Sequence, residues 1–467
     1  MADNSVTSKY EMDTTSGSIL PKMIRFAIPV LLSGILQLLF NAADLAVVGR
    51  FVGHEAVAAV GANTSLIFLL TNIFIGLSVG ATAVAARYFS MKATDDLSDT
   101  VHTSIALSII CGMIITLVGL IFARQVLILM NTPADILDGA QDYFTIIMYG
   151  MIGMMLYNFG SSILRSIGDS RRPLYFLVIS GVINVGLNLL LVLVFGLGVK
   201  GVAIATVVSQ YLSAIMVIIC LIRERNALHL DIRKIKLHKK KVLAIFQIGL
   251  PAGFQAALFS ISNVIIQSSI NSFDSSIIVA GNSISMNVEF FVFNAMESFY
   301  AATLTFASQN YAVGNLKRID KSVIYGSICA AVVGILVSVI VLMNGKFFLG
   351  LFNTDPDVIE AGMKRLWIIC TTYFTCGIMD VIVGGLRGIG RSFGSMFISL
   401  AGVCGLRLIW IATVFQMPQY HTIEVIYYSY PLSWVVTLLL QLMYYLFTRK
   451  KSVSKDALAN SLASSTD

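Results

Sequence analysis

PVLLSGILQLLFNAADLAVVG, residues 29–49, is an apolar stretch of helix length interrupted by one carboxylate, Asp44. An acid near the centre of a bilayer costs about 2.5–3.5 kcal/mol on insertion scales, so one that is kept there faces protein or a watery cavity and has a task. Gln37 and Asn41 precede it on the same helix, and Pro29 opens the stretch. Proline donates no backbone hydrogen bond, so a kink or local opening is expected near residues 25–29. A kinked first helix carrying one buried acid suggests a moving part.

The rest of the chain has the same character. Of 467 residues, 57% are hydrophobic and 12% charged, with mean hydropathy +0.83, whereas soluble domains average about 25% charged. Apolar runs long enough to cross a hydrocarbon core as helices recur near 24–48, 57–82, 101–123, 139–162, 173–196, 199–222, 243–270, 277–305, 322–345, 361–384, 393–416 and 424–447. The expected fold is all-α and polytopic, with twelve transmembrane helices. Residues 1–20 lack the short apolar core and cleavage site of a signal peptide. All six cysteines (Cys111, Cys220, Cys329, Cys370, Cys376, Cys404) fall inside apolar runs without CxxC spacing, so neither a disulfide framework nor a metal site is expected.

Charge sets the orientation. Of 32 Lys and Arg, 25 lie in the two termini and in the loops after the even-numbered helices. By the positive-inside rule both termini are cytoplasmic, in a multi-pass protein of the cell membrane. The densest cluster, between Arg223 and Lys241, reads as a cytoplasmic linker near anionic lipid rather than a nucleic-acid patch.

A shift of 222 positions pairs Pro29 with Pro251, Asn41 with Asn263, Asn131-Thr132 with Asn353-Thr354 and Asp135 with Asp357. The same shift lays Leu164-Arg165-Ser-Ile167-Gly168-Asp-Ser170 on Leu386-Arg387-Gly-Ile389-Gly390-Arg-Ser392. One gapless offset joining separate places marks an internal duplication. Six spans per half make the halves parallel repeats. The expected organisation is a tail (1–20), an N-lobe (21–222), the basic linker (223–242), a C-lobe (243–448) and a second tail (449–467).

Intramembrane polar residues differ between the halves. Asn184 and Asn188, four apart, share a helix face. At about 1.5 Å per residue, Asn188 lies roughly 22 Å along its helix from the cytoplasmic start, and Thr206 roughly 10 Å in from the opposite end of the next. With Asp44 late in the first helix, the set is compatible with one polar cluster in the outer half of the membrane. Asp44 is either a cation or proton site or an acceptor that holds helices together. The second half offers Gln255, Glu289, Glu297 and Asp380 instead. Glu289 and Asp380 either line a cleft as counter-charges for a cationic solute or are satisfied by Arg407 or backbone; Glu297 reads as structural. The paired Leu-Arg-x-Ile-Gly-x-Ser elements read as helix-ending turns.

Asn41-Ala-Ala-Asp44-Leu-Ala-Val-Val-Gly49-Arg50, the paired LRxIGxS elements, Gly198-Val-Lys-Gly-Val-Ala-Ile-Ala-Thr206 and Phe306-Ala-Ser-Gln309-Asn310-Tyr-Ala-Val-Gly314-Asn together resemble the MATE (multidrug and toxic compound extrusion) family, prokaryotic DinF-like branch. The resemblance runs from about residue 18 to 448. It implies a secondary antiporter that exports amphiphilic, often cationic, small molecules in exchange for H⁺ or Na⁺ by rocking alternating access, with no other cofactor or metal. It also implies a coupling site at Asp44, Asn184, Asn188 and Thr206; Gln37, Asn41, Gln255, Glu289 and Asp380, polar within apolar spans, are the candidates for the substrate cavity. Asn188 stands where the family pattern often has Asp, which favours a protonation switch over tight Na⁺ binding. Gln255 stands where another branch often has Glu.

Other classes fit less well. A flippase for lipid-linked precursors would be expected to carry more buried basic residues, and by sequence only Arg407 is clearly inside a helix. A metabolite exporter on the same fold is the other alternative. No GxxxxGK[ST] element supports an ATP-driven pump, and the five His residues show no ligand spacing that would suggest an enzyme. The expected partners are small molecules and membrane lipid, with no nucleic acid and a monomeric chain.

Overall fold

The computed structural model describes residues 10–130 and 132–463, apart from the side chains of residues 54, 62, 65, 134, 135 and 450–463. The expectations for residues 1–9 and 464–467 of the tails, for Asn131 and for the side chain of Asp135 fall outside that range. The described residues are helical, without strands.

Helix α1 (Ile19–Phe51) leads into α2 (His54–Ser90), α3 (Thr94–Leu129), α4 (Ala134–Tyr149), α5 (Met151–Ser166), α6 (Arg171–Leu189) and α7 (Gly198–Arg223). After the linker come α8 (Lys239–Asn271), α9 (Ser276–Ala312), α10 (Leu316–Met343), the short α11 (Gly345–Gly350), α12 (Pro356–Cys370), α13 (Tyr373–Gly388), α14 (Ser392–Ser399), α15 (Leu406–Ala412) and α16 (Ile423–Ala463). Wide π turns extend α6 over Leu190–Val194 and join α14 to α15 over Leu400–Gly405. Among the described residues ten helices are long and apolar enough to cross a membrane, or twelve if each of two bent pairs is one span.

Those bent pairs are the expected fourth and tenth spans. α4 and α5 meet at 45°, α12 and α13 at 48°. At both breaks the chain tightens to an i→i−3 bond, Gly150 N to Ile147 O at 2.9 Å and Thr372 N to Ile369 O at 3.1 Å. Gly150 and Thr372 are 222 positions apart, so the duplication extends to the backbone. Around the second break, the hydroxyls of Thr371 and Thr372 also bond back to carbonyls of the preceding turn, a habit that bends helices. At Pro29 α1 continues as one helix, with Ser33 Oγ donating to Pro29 O at 2.8 Å.

The paired LRxIGxS elements form the same turn twice. Gly168 and Gly390 take φ of 86° and 81°, a region glycine enters without strain. Asp169 N bonds Leu164 O at 3.1 Å and Gly168 N bonds Arg165 O at 2.9 Å; Arg391 N and Gly390 N repeat this with Leu386 O and Arg387 O at 2.8 and 2.9 Å. These are the two bonds of a Schellman helix end.

The described chain separates into two compact units, but not at the linker. The first takes residues up to Asp13 and Ile28–Phe254; the second takes Thr14–Ala27 and the chain from Gln255 onward. The boundaries therefore fall inside α1 and α8. Packing accounts for the linker's place in the first unit: Leu228 and Leu230 sit in a core with Leu97, Val101, Ile105, Tyr157, Leu164 and Leu221. His102 Nδ1 donates to Ser98 O at 2.7 Å, leaving Nε2 to accept from Asp231 N at 3.1 Å. Lys241 pairs with Asp96 and lies 3.8 Å from the centre of the Tyr88 ring. At its other end, α16 continues past the expected boundary at 448.

Candidate functional site

In the first unit, α6 is built inside out compared with a helix of a soluble protein. Its buried residues are Pro173, Ser180, Gly181, Asn184 and Asn188, while Ile179 and Val182 are 47% and 64% exposed. A polar stripe spaced by four faces protein and the apolar residues face outward, as lipid requires. Phe40 of α1 lies against Gly181, where an added Cβ would stand 2.5 Å from the ring's Cδ2. One turn further along α1, Asp44 meets the asparagines.

Asp44 is 7% exposed, Asn184 4% and Asn188 fully buried. Asn188 Nδ2 donates to Asp44 Oδ1 and lies 3.3 Å from Asn184 Oδ1. Thr206 Oγ1 on α7 is 3.2 Å from Asp44 Oδ2 and 3.0 Å from its own Val202 O; its single proton serves one at a time. The oxygen Asn188 Oδ1 is buried without a hydrogen-bond partner. The structure thus brings Asp44, Asn184, Asn188 and Thr206 together, three helices meeting at one carboxylate. Buried Tyr143 of α4 also lies within reach of Asp44's charge, a neighbour that no spacing in the sequence marks. Gln37 and Asn41 are exposed on α1 and outside this cluster.

The second unit holds its charges differently. Glu289 of α9 accepts two bonds of 2.8 Å from Arg365 of α12, whose Nη1 donates to Asn282 Oδ1, also at 2.8 Å. Asn282 Nδ2 in turn reaches Gln267 Oε1 on α8 at 2.8 Å. Gln255 accepts from Arg387 Nη2 at 3.0 Å, and Arg387 Nη1 donates to the Tyr300 hydroxyl at 2.5 Å. Asp380 has Cys376 Sγ at 3.9 Å and the charges of Glu297 and Arg387 nearby. Two readings of the sequence are corrected here. Glu289 is neutralised by Arg365, not by Arg407 or backbone. Arg407 is not the lone buried arginine either, since Arg365 and Arg387 are 2% and 7% exposed. The sequence hid Arg365 because it stands four residues into an expected span; α12 begins at Pro356, which carries Arg365 deeper.

These elements have known counterparts. A family model described as MatE matches residues 29–190 and 251–413, and its two matches begin at Pro29 and Pro251, the pair related by the 222-residue shift. The probable multidrug resistance protein YoeA of Bacillus subtilis is 28% identical over 443 residues, covering 93% of this chain and 95% of its own. The probable multidrug resistance protein NorM of Thermotoga maritima is 25% identical, covering 83% and 84%. Among solved structures, a MOP superfamily transporter from Pyrococcus furiosus superposes with a TM-score of 0.88 at 18% identity, covering 94% of this chain and 98% of that one. A MATE protein in complex with MaL6 gives 0.88 at 19% identity with the same coverage. Matched twice over by one family model across most of its length, the chain belongs to the MatE family.

Proposed function

We propose that the chain is a secondary multidrug exporter that moves amphiphilic, often cationic, compounds across the cell membrane in exchange for H⁺, with Asp44 as the coupling group. The observation that carries the reading is the buried carboxylate of Asp44, in the apolar run of α1, held by Asn188 and Thr206 on the protein-facing stripe of a helix that is otherwise apolar outward. The names of the multidrug resistance relatives support the substrate class.

Asp44 alternates between two protonation states. As a carboxylate it accepts from Asn188 Nδ2 and Thr206 Oγ1. Once protonated it becomes a donor, and the Asn188 amide, turned over, offers its otherwise orphaned Oδ1 to that proton. An amide serves both states, whereas a second carboxylate at 188 would add a negative charge suited to a metal cation. One acid and one proton balance. Exchange requires that proton and drug favour different states of the protein, which alternating access supplies. By the distribution of basic residues, both termini lie in the cytoplasm.

Export of ethidium from proteoliposomes under an imposed pH gradient, or an imposed Na⁺ gradient, tests this with wild type and Asp44→Asn. The expected result is export driven by the pH gradient alone and abolished by the substitution. Normal export by Asp44→Asn would refute the role of Asp44.

A further inference from the structure

Arg407 is a buried cation of the second unit with no acid paired to it. It is 5% exposed, and its Nε donates to Ser433 Oγ at 2.8 Å. Among the described residues no carboxylate lies within 4 Å of it, and its two Nη groups have no hydrogen-bond acceptor yet are not sealed off as fully buried atoms. Arg365, by contrast, is neutralised by Glu289. Burying an unpaired charge is costly, and an ionisable group inside a membrane segment marks a functional site whose counter-charge should be identified.

The surroundings of Arg407 are aromatic. Its guanidinium lies 4.0 Å from the centre of the Tyr430 ring and 5.7 Å from that of Trp434. Trp434 stacks on Tyr373 with centroids 5.0 Å apart at 18°, and the Arg365 guanidinium lies 5.0 Å from the centre of the Tyr430 ring as well. Ring faces hold a guanidinium in place without neutralising it.

The backbone is specifically adapted to aim Arg407 at α16. Ser395 O and Ser399 Oγ accept from Gln441 Nε2 at 2.8 and 2.9 Å, and Gly402 packs on Thr437. Arg407 meets Ser433 one turn further on. In a regular helix twelve residues turn about 1200°, which would carry position 407 about 120° away from Ser395. The π turn over Leu400–Gly405 absorbs one residue, so twelve count as eleven and the deviation falls to about 20°. Such insertions are frequent at functional sites.

The geometry points to an anion subsite at Arg407, which takes the carboxylate or sulfonate end of an amphiphilic aromatic substrate while Trp434, Tyr430 and Tyr373 receive its ring. Planar Nη groups suit a two-oxygen acceptor. This rests on the exporter reading for the word substrate, and widens the expected class from cations to amphiphiles with an acidic end.

The test uses two probes with one aromatic body: 8-anilino-1-naphthalenesulfonate and its uncharged parent N-phenyl-1-naphthylamine. Binding of each to the full chain in nanodiscs is measured by fluorescence in excess of empty nanodiscs, for wild type, Arg407→Gln, Arg407→Lys and Trp434→Phe. Arg407→Gln is expected to weaken the sulfonate roughly ten- to a hundredfold and leave the uncharged parent unchanged. Arg407→Lys should retain part of the difference, and Trp434→Phe should weaken both probes. Equal sulfonate binding by wild type and Arg407→Gln, or parallel loss of both probes in Arg407→Gln, would overturn the subsite. Ethidium export run beside it separates the two ideas: export intact with sulfonate binding independent of Arg407 removes the subsite alone. Export absent while sulfonate binding still follows Arg407 removes the exporter reading and keeps the subsite.

Discussion

Replacing Glu289 by Gln keeps the shape of the side chain and removes its charge. Arg365, 2% exposed, would then lose both charged acceptors at 2.8 Å and retain Asn282 Oδ1 and the faces of Tyr427 and Tyr430. Removing one partner of a buried ion pair costs about 3–5 kcal/mol, chiefly by stranding the other charge. At roughly 2–4 °C per kcal/mol for a unit of this size, the unfolding midpoint should fall by about 6–20 °C. A thiol-reactive fluorophore reads this directly in purified protein, because Cys111, Cys370, Cys376 and Cys404 are free and buried. The double variant Glu289→Leu, Arg365→Met should recover most of the loss, since apolar replacement of a whole pair is often neutral or stabilising. A Glu289→Gln midpoint within about 2 °C of wild type would show that the pair carries no such stranded charge and refute the reasoning.

Three further outcomes are expected. Gly181→Val should push the Phe40 ring off α6 and so separate Asp44 from Asn188; dye export should fall strongly while the protein still inserts, and unchanged export would show that the close approach does not position the acid. Gly390→Val places a β-branched residue at φ 81° and should lower stability by about 1–2 kcal/mol, seen as an earlier thiol-labelling transition; Gly168→Val should cost more, since an added Cβ there would also stand 2.9 Å from Met12 O. Asp138→Asn breaks an ion pair with Arg124 whose side chains are 86% and 51% exposed, so its midpoint should stay within about 1–2 °C of wild type, the small effect of a surface pair.

Hydropathy and the 222-residue shift were enough to read the helices and their duplication, because lipid imposes length and apolarity on each span and a constant offset survives in any one copy. The same shift later recurs in the bends at Gly150 and Thr372 and in the turns at Gly168 and Gly390. Asp44, Asn184, Asn188 and Thr206 were legible as a set because each is polar where lipid would forbid it. α1 stays helical through Pro29, whereas the two bent spans break at a glycine and at a pair of threonines. Arg387 was read as part of a helix-ending turn, and Arg365 stood too near the start of an expected span to be recognised as buried. Their partners Glu289, Gln255 and Tyr300 come from helices distant in sequence, and no local pattern pairs them. Nothing in the sequence announced that Leu228 and Leu230 would seat the linker in the first unit, since two leucines in a basic stretch do not form a period.

The wide turn over Leu400–Gly405 also sets how this segment tolerates change in length. Losing a residue from a transmembrane helix ordinarily rotates everything beyond it by about 100° and ruins the packing. Here the surplus residue is already stored, so dropping Val403 would return α14 and α15 to a continuous regular helix with Ser395 and Arg407 still about 20° apart in projection. At this place the segment can lose a residue without re-sorting its faces, and natural length variation within the segment would be expected to concentrate there.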